Sequence, residues 1–238
     1  MSSERRYPVT PDEFEAFINL PVNADRSFEY IAGEIRNVEP NPIAAQIAAR
    51  LVEPLAAYLR EDRIAHLTSG SSGFIVAYDC YTPDVAVLRR DRQAELVTKG
   101  FNPIAPDLAI EINSPDNERV LRLKVANYLV AGTTLWIVLP SAKRVEVYTP
   151  GKPAAVLDIN GTLNPGAILP SFTLNVSEIF EGFEAEFLRY YGCPRLFSPI
   201  LSIFLLSRVI GLETLAIGLK LAINQIFVSK NAIYCSIS

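Results

Sequence analysis

A chain of 238 residues, half of them apolar and a fifth charged, is long enough to bury one sizeable core, which excludes a largely disordered protein. A formal net charge of −4 argues against non-specific nucleic-acid binding over the whole surface, because phosphate contacts need clustered lysine and arginine. A local basic groove is compatible with this charge, since Arg89, Arg90 and Arg92 lie close together.

The single histidine and the three cysteines limit the chemistry further. A serine or cysteine triad would have to use His66, and a site built from several histidines is excluded. No triad signature surrounds His66, so we expect a structural role for it. Cys80, Cys193 and Cys235 are odd in number and widely spaced, and the amino terminus lacks the apolar run of a signal peptide. Both observations favour a reducing compartment, and we predict a cytoplasmic protein.

The first half of the chain carries signals for two helices, a hairpin and several strands. Thr10 and Glu13 form a capping box around a helix that begins at Pro11. Alternating residues around Gly33 predict a β-hairpin, and Pro42 begins a longer amphipathic helix. The hairpin is predicted over 28–38, the second helix over 42–60, and strands near 64–69, 73–79 and 82–88.

The second half predicts a strand, a helix and a sheet that ends in edge strands. The continuous apolar run at 135–139 is typical of a central strand covered on both faces. Gly132 ends the helix before it, and Asn160-Gly161 is a strong tight-turn signal. The elements are predicted at 107–112, 114–131, 135–139, 144–149, 154–159 and 172–180. Together they predict an α/β (α+β) fold with a mixed central sheet flanked by helices.

Residues 190–238 differ in character and are predicted to form an apolar, helical extension after a domain over residues 1–189. Arg208, Glu213 and Lys220 interrupt the apolar run, so no stretch reaches the roughly 18 uninterrupted apolar residues of a clean membrane span. A buried helical hairpin, a membrane-surface appendage and an unselected extension all fit this pattern. Membrane association of the tail is open but not favoured.

Carboxylates lie on two neighbouring predicted strands. Asp84 opens one strand, and Glu111 lies on the next, where alternation places Asp107, Glu111 and Asn113 on one face. A half-buried strand gains no stability from such side chains, because burying an unpaired carboxylate is costly. Two carboxylates on adjacent strands can hold Mg²⁺ through oxygen ligands, so Asp84 and Glu111 are the candidate metal ligands.

Two further residues complete the candidate site. Lys124, on the following helix, could orient or deprotonate an attacking water and offset charge on a phosphate. Glu29, on the early hairpin, could supply a third carboxylate. Metal-assisted hydrolysis of a phosphodiester requires a set of this kind, and the predicted catalytic residues are therefore Asp84, Glu111, Lys124 and Glu29.

Each of these residues also has a structural interpretation. Asp84 follows Pro83 and could simply cap a turn. Lys124 could belong to a solvated helix face, and Glu34 competes with Glu29 for the role on the hairpin. Asp107 could be a further ligand or a cap at the start of its strand.

Five segments follow one another in a fixed order along the chain. They are FEYIAGE at 28–34, PDVA at 83–86, PDLAIEINSP at 106–115, Lys124 with Tyr128, and GTTLWIV at 132–138. This series, within about residues 7–184, resembles the Uma2 family of restriction-endonuclease-like proteins, which have the PD-(D/E)XK nuclease fold. Tyr128 itself, one turn after Lys124, is more often a packing residue.

The resemblance implies a role for each site residue. Asp84 matches the aspartate of the PD motif, Glu111 the second acid, and Glu29 the acid before the first long helix. Lys124 looks like the basic residue, moved from the strand to the helix. A simple E-x-K pattern would place lysine where this chain has Asn113.

By this resemblance the protein is an endonuclease that acts on DNA and depends on Mg²⁺, with Mn²⁺ able to substitute. A homodimer would present two symmetric sites for cutting both strands of a duplex. The alternative is a catalytically inactive nuclease-like module that binds DNA or another partner. Asn113, the acidic body and the apolar tail favour that alternative.

Overall fold

A computed structural model of the chain describes residues 8–114 and 118–181. The helices are α1 (Pro11–Ile18), α2 (Pro42–Glu61), α3 (Glu118–Val130) and α4 (Val176–Ile179). The strands are β1 (Phe28–Ile31), β2 (Glu34–Asn37), β3 (Ala65–Ser69), β4 (Phe74–Val76), β5 (Asp79–Tyr81), β6 (Val85–Arg89), β7 (Leu108–Ile112), β8 (Thr134–Leu139), β9 (Arg144–Tyr148), β10 (Ala155–Leu157), β11 (Thr162–Leu163) and β12 (Leu174–Asn175).

The central element is a six-stranded mixed sheet with the order β10-β9-β8-β7-β6-β3. Only the β7–β8 pair in it is parallel, because α3 crosses between these two strands and returns the chain to the same end. α2 packs on one face of the sheet, while Leu121 and Tyr128 of α3 join Ala109 of β7 in a core cluster on the other. The predicted mixed α/β fold is confirmed.

β7 is covered on both faces, and the prediction of a half-buried strand was wrong. Every residue from Leu108 to Ile112 is buried, because the strand lies in the middle of the sheet between two helices. The alternation in the sequence came from Asp107 and Asn113, which flank the strand on either side. Glu111 is the one charged residue within it.

A second, four-stranded sheet has the order β2-β1-β5-β4 and is antiparallel throughout. The β1–β2 hairpin turns at Ala32 and Gly33, both with positive φ (50° and 84°), which confirms the predicted hairpin. A side chain at Gly33 would approach Pro8 Cβ within 2.6 Å, so this position needs glycine. Tyr30 pairs with Cys80 of β5, which brings Glu29 near the segment that leads into β6.

The predicted single strand over 73–79 is instead most of a hairpin, β4–β5. Ala77 has a left-handed φ of 57°, and the chain reverses there with Tyr78 91% exposed. Alanine carries no turn signal, so the sequence read as one continuous apolar run. The next strand also starts later than predicted, at Val85, because Pro83 and Asp84 precede the sheet.

The remaining elements agree with their predictions within a few residues. The capping box of Thr10 and Glu13 is present, and Gly132, with φ of 81°, follows the end of α3. The predicted helix start at Ser114-Pro115 falls partly on residues outside the described ranges, as do the boundary at residue 189 and the tail over 190–238. Among the described residues, no helix has the length and apolar content needed to cross a bilayer.

Three strands of the large sheet meet at one edge and position the site. β7 and β8 both end there because they are parallel, and β6 begins there because it runs antiparallel to β7. Asp84 directly precedes β6, and its carboxylate accepts a hydrogen bond from the backbone N–H of Ile112 at 2.7 Å. The aspartate is thereby fixed beside the end of β7.

Candidate active site

Lys124 lies at the centre of a buried ionic cluster. Its Nζ is 2.8 Å from Glu29 Oε1 and 3.2 and 3.3 Å from the two carboxylate oxygens of Glu111. The lysine is only 3% exposed, so it is not part of a solvated helix face. The contact joins β1 to the consecutive elements β7 and α3, and Glu29 lies 95 residues before Lys124 in the sequence.

Backbone and tyrosine donors hold the carboxylates of this cluster. Glu29 Oε1 accepts a hydrogen bond from the backbone N–H of Thr82 at 2.7 Å, and Glu111 Oε1 accepts one from the Tyr128 hydroxyl at 2.8 Å. Tyr128 therefore does more than pack, whereas the sequence had suggested only a packing role. Its spacing of four residues from Lys124 on α3 places both side chains over Glu111.

Of the four predicted catalytic residues, three contact one another and the fourth lies beside them. Glu29, Glu111 and Lys124 contact one another directly. Asp84 is anchored to the end of β7 and lies close enough for its charge to raise the pKa of Glu111. The structure thus brings all four to one edge of the sheet, and their roles remain predictions.

Burial and charge shift the pKa values of Glu111 and Asp84 upward. Burial, with further contributions from the charges of Glu29 and Asp84, raises the pKa of Glu111 to about 7, although Lys124 and Tyr128 act in the opposite direction. Burial also raises the pKa of Asp84, against the opposing effects of the Ile112 N–H and Lys124. Three acids share one ammonium group, so the cluster has unbalanced negative charge.

Lys124 is held in its protonated form. Burial by itself would lower its pKa, but the charges of Glu111 and Glu29 and the hydrogen bonds to them outweigh burial, so the pKa lies above its ordinary value. A protonated ammonium group donates hydrogen bonds and cannot take a proton from water. Of the two roles considered for this lysine, the geometry therefore favours orientation and charge compensation over deprotonation.

The donor set at this edge fits a hard divalent cation bound in the manner of Mg²⁺. No group of three or more histidine, cysteine or acidic side chains forms a ready-made metal cage within residues 8–114 and 118–181. Mg²⁺ is commonly bound through one or two carboxylates, with water and substrate phosphate completing the octahedron. Asp84 and Glu111 supply two such carboxylates, and a cation would offset the excess negative charge.

A second polar network contacts Lys124 through the Tyr81 ring. The sequence did not predict this network. The Lys124 ammonium lies over the Tyr81 ring, 5.2 Å from its centroid. The Tyr81 hydroxyl donates to Asp79 Oδ2 at 2.7 Å, and Asn127 Nδ2 donates to the same oxygen at 2.9 Å. Asp79 Oδ1 accepts from the N–H of Ala32 in the hairpin turn at 3.0 Å. This network links the small sheet to α3.

Three other polar candidates lie away from the cluster. Glu34 is exposed and pairs with Arg36, so Glu29 is the hairpin acid that reaches the site. Asp107 lies at the opposite end of β7, where it accepts from the Arg89 N–H and pairs with Arg92. The Nε2 atom of His66 contacts two loop carbonyls, in accordance with its predicted structural role.

The raised pKa of Glu111 leads to a prediction for the metal-free protein. A glutamate has a pKa near 4.5 when unfolded and about 7 here, so the folded state holds the proton more tightly. The free energy of unfolding should therefore fall as pH rises from about 4.5 to 7. We expect thermal unfolding in the presence of a chelator to give a Tm about 5 °C or more lower at pH 7.5 than at pH 5.

Glu111→Gln is the control, because it removes the titration while keeping an oxygen acceptor for Tyr128 and Lys124. The difference in Tm between wild type and this variant should change with pH in the direction stated. An equal pH dependence in the two proteins would contradict the assigned shift.

The mixed six-stranded sheet flanked by helices gives the chain a restriction-endonuclease-like fold, and a solved structure shares it. A crystal structure from Anabaena variabilis ATCC 29413, described as "a putative nuclease belonging to DUF820", is similar, with a TM-score of 0.62 and 25% sequence identity. The similarity covers 73% of this chain and 98% of that one. The family model of Uma2, described as "Putative restriction endonuclease", matches residues 12–177. The chain belongs to the Uma2 family. A search of the curated proteins gave no match.

Proposed function

We propose that this protein is a divalent-metal-dependent DNA endonuclease that hydrolyses phosphodiester bonds, with Mg²⁺ as its ion and Mn²⁺ as a substitute. The observation that carries the proposal is the direct contact of Lys124 with Glu29 and Glu111 at the sheet edge where Asp84 is anchored. A buried lysine among three acids adds little net stability compared with apolar side chains of similar size, so such a cluster points to a function.

In the proposed mechanism, Asp84 and Glu111 hold the cation. A bound ion would supply Lewis-acid polarisation of the phosphate and would lower the pKa of a water beside it. Tyr128 orients the Glu111 carboxylate through its hydroxyl, so the ligand has one fixed geometry before substrate binds. Lys124 donates toward the cluster and offsets charge that develops on the phosphate, while Glu29 holds the ammonium group in place.

Several finer features belong to the same proposal. The substrate is DNA, as is expected of a restriction-endonuclease-like family. A symmetric homodimer would place two sites on the two strands of a duplex. The cytoplasmic location stays a prediction from the widely spaced cysteines.

The direct test is incubation of the purified chain with supercoiled plasmid and either Mg²⁺ or Mn²⁺. Nicking or cutting is expected with each metal and not with a chelator. Asp84→Asn should abolish it, because an amide is a poorer metal ligand than a carboxylate. Asp107→Asn is the matched control, since Asp107 lies on the same sheet at the opposite end of β7. Cleavage that survives Asp84→Asn, or that needs no metal, would contradict the proposal.

A second function, an inactive nuclease-like binding module, is favoured by one observation. The position where a simple E-x-K pattern would have lysine holds the uncharged Asn113. Calorimetric titration with Mn²⁺ separates the two functions. An active enzyme binds the ion, and Asp84→Asn weakens that binding. DNA association without Mn²⁺ binding would support the module.

A further inference from the structure

Asn113 carries a buried oxygen without a hydrogen-bond partner. The side-chain Oδ1 atom is inaccessible to solvent, and no donor in the described part of the chain reaches it. A buried acceptor left unpaired costs folding free energy, so such atoms are rare and call for an explanation. The backbone does not provide one, because the Asn113 N–H is used in the sheet, where it donates to Val138 O at 2.9 Å.

The strand geometry directs Asn113 toward the candidate active site. Its backbone bond to Val138 continues the parallel β7–β8 ladder one residue beyond β7, so the alternation of side chains also continues. Asn113 therefore shares a face with Glu111, two residues closer to the edge where Asp84 is anchored. The other unpaired buried side-chain atom in the described ranges, Trp136 Nε1, belongs to a residue paired with Ile110, on the opposite face.

The chemistry of the atom limits what it can bind. An amide oxygen accepts hydrogen bonds and carries no charge, so it does not attract phosphate. Lys124 is already engaged by Glu29 and Glu111 and is protonated, so it does not supply an acceptor either. A hydrolytic site of this kind needs an acceptor that orients the attacking water beside the metal-binding acids.

We propose that Asn113 Oδ1 accepts a hydrogen bond from the attacking water and fixes its direction toward the phosphorus atom. This inference rests on the proposed nuclease function. The water oxygen forms the new bond to phosphorus while the P–O ester bond breaks. The proton that the water loses passes to solvent, because an amide is too weak a base to keep it. The leaving oxygen takes a proton from solvent.

The first test is a stability measurement that needs neither metal nor substrate. Asn113→Leu keeps the approximate shape and removes the unpaired acceptor, so we expect the Tm in chelator to rise by about 2–6 °C. The matched control is Asn102→Leu. Asn102 is 3% exposed but fully bonded, with Gln93 and Ile104 among its partners, so this variant should lower the Tm. A fall in Tm for Asn113→Leu would show a structural asparagine and overturn the proposal.

The second test follows cleavage and Mn²⁺ binding in the same variants. Asn113→Leu should lower kcat at least about 10-fold, with KM for DNA and the Kd of Mn²⁺ from calorimetry changed less than about threefold. Asn113→Asp retains an oxygen in the same place and should recover most of the rate. Equal cleavage rates for wild type and Asn113→Leu would refute the role of Asn113 and would leave the proposed nuclease function intact. A Kd for Mn²⁺ raised about 10-fold or more would show a direct metal ligand and also overturn it. If wild type does not cleave under any metal, the proposed function itself has failed.

Discussion

Replacing Lys124 with methionine is expected to abolish cleavage and to lower the free energy of unfolding by about 3–5 kcal/mol. Methionine fills a similar volume, so the loss does not come from a cavity. It comes from Glu29 and Glu111, which lose the cation that lies 2.8 Å and 3.2 Å away and remain buried as unpaired acids. Urea denaturation at pH 7.5 measures the change in stability, and plasmid nicking measures the activity.

Two further variants distinguish an ionic effect from general damage. Lys124→Met combined with Glu29→Gln removes one of the unpaired acids, so part of the stability should return while cleavage stays absent. Arg122→Met removes an exposed cation from the same helix, paired with Glu146, and should cost about 1 kcal/mol or less. If Lys124→Met were no more harmful to stability than Arg122→Met, the buried cluster described above would be wrong.

Replacing Glu111 with glutamine is expected to lower kcat at least about 10³-fold without a loss of stability at pH 8. The amide keeps an oxygen for the Tyr128 hydroxyl, which donates to Glu111 at 2.8 Å, but it is a poor ligand for a divalent ion. A buried carboxylate whose pKa is raised to about 7 is strained when ionised, so removing the charge should leave the Tm at pH 8 unchanged or higher.

The control for this variant is Glu146→Gln, which neutralises another strand glutamate of the same sheet that is paired with Arg122 instead of Lys124. Its cleavage rate should stay close to wild type. If the Glu111→Gln variant retained more than about a tenth of the wild-type kcat, Glu111 would be excluded as a required metal ligand. The two charge deletions, at 124 and 111, thus share a loss of activity, but only the deletion at 124 should lower stability.

The convergence of Asp84 and Glu111 could be predicted because it depends on strand register alone. An aspartate just before one strand and a glutamate near the end of its neighbour meet when the two strands run antiparallel, as β6 and β7 do. Glu29 was harder to place, because Glu34 lies on the same hairpin. Only the pairing of β1 with β5 decides which of the two faces inward.

The position of Lys124 and the network below it depend on packing that no local pattern encodes. Which side of α3 faces the sheet is set by contacts such as that between Tyr128 and Glu111, which lie 17 residues apart in sequence. Asp79 and Tyr81 were missed because Ala77 adopts a left-handed turn without a glycine signal, which hid the β4–β5 hairpin. The prediction that β7 is half-buried failed for a different reason, since Asp107 and Asn113, which produced the alternation in the sequence, lie outside the strand.

The Lys124–Glu29 contact joins the two sheets, because Glu29 belongs to the four-stranded sheet while Glu111 and Asp84 belong to the six-stranded one. If the proposed function is right, activity depends on the smaller sheet staying in place. Local opening of that sheet would carry Glu29 away from Lys124 while the main core stays folded. Substitutions that loosen the β1–β2 hairpin, such as replacement of Gly33 by any residue with a side chain, should therefore displace Glu29 from Lys124. They should do so at temperatures well below the melting temperature of the whole domain.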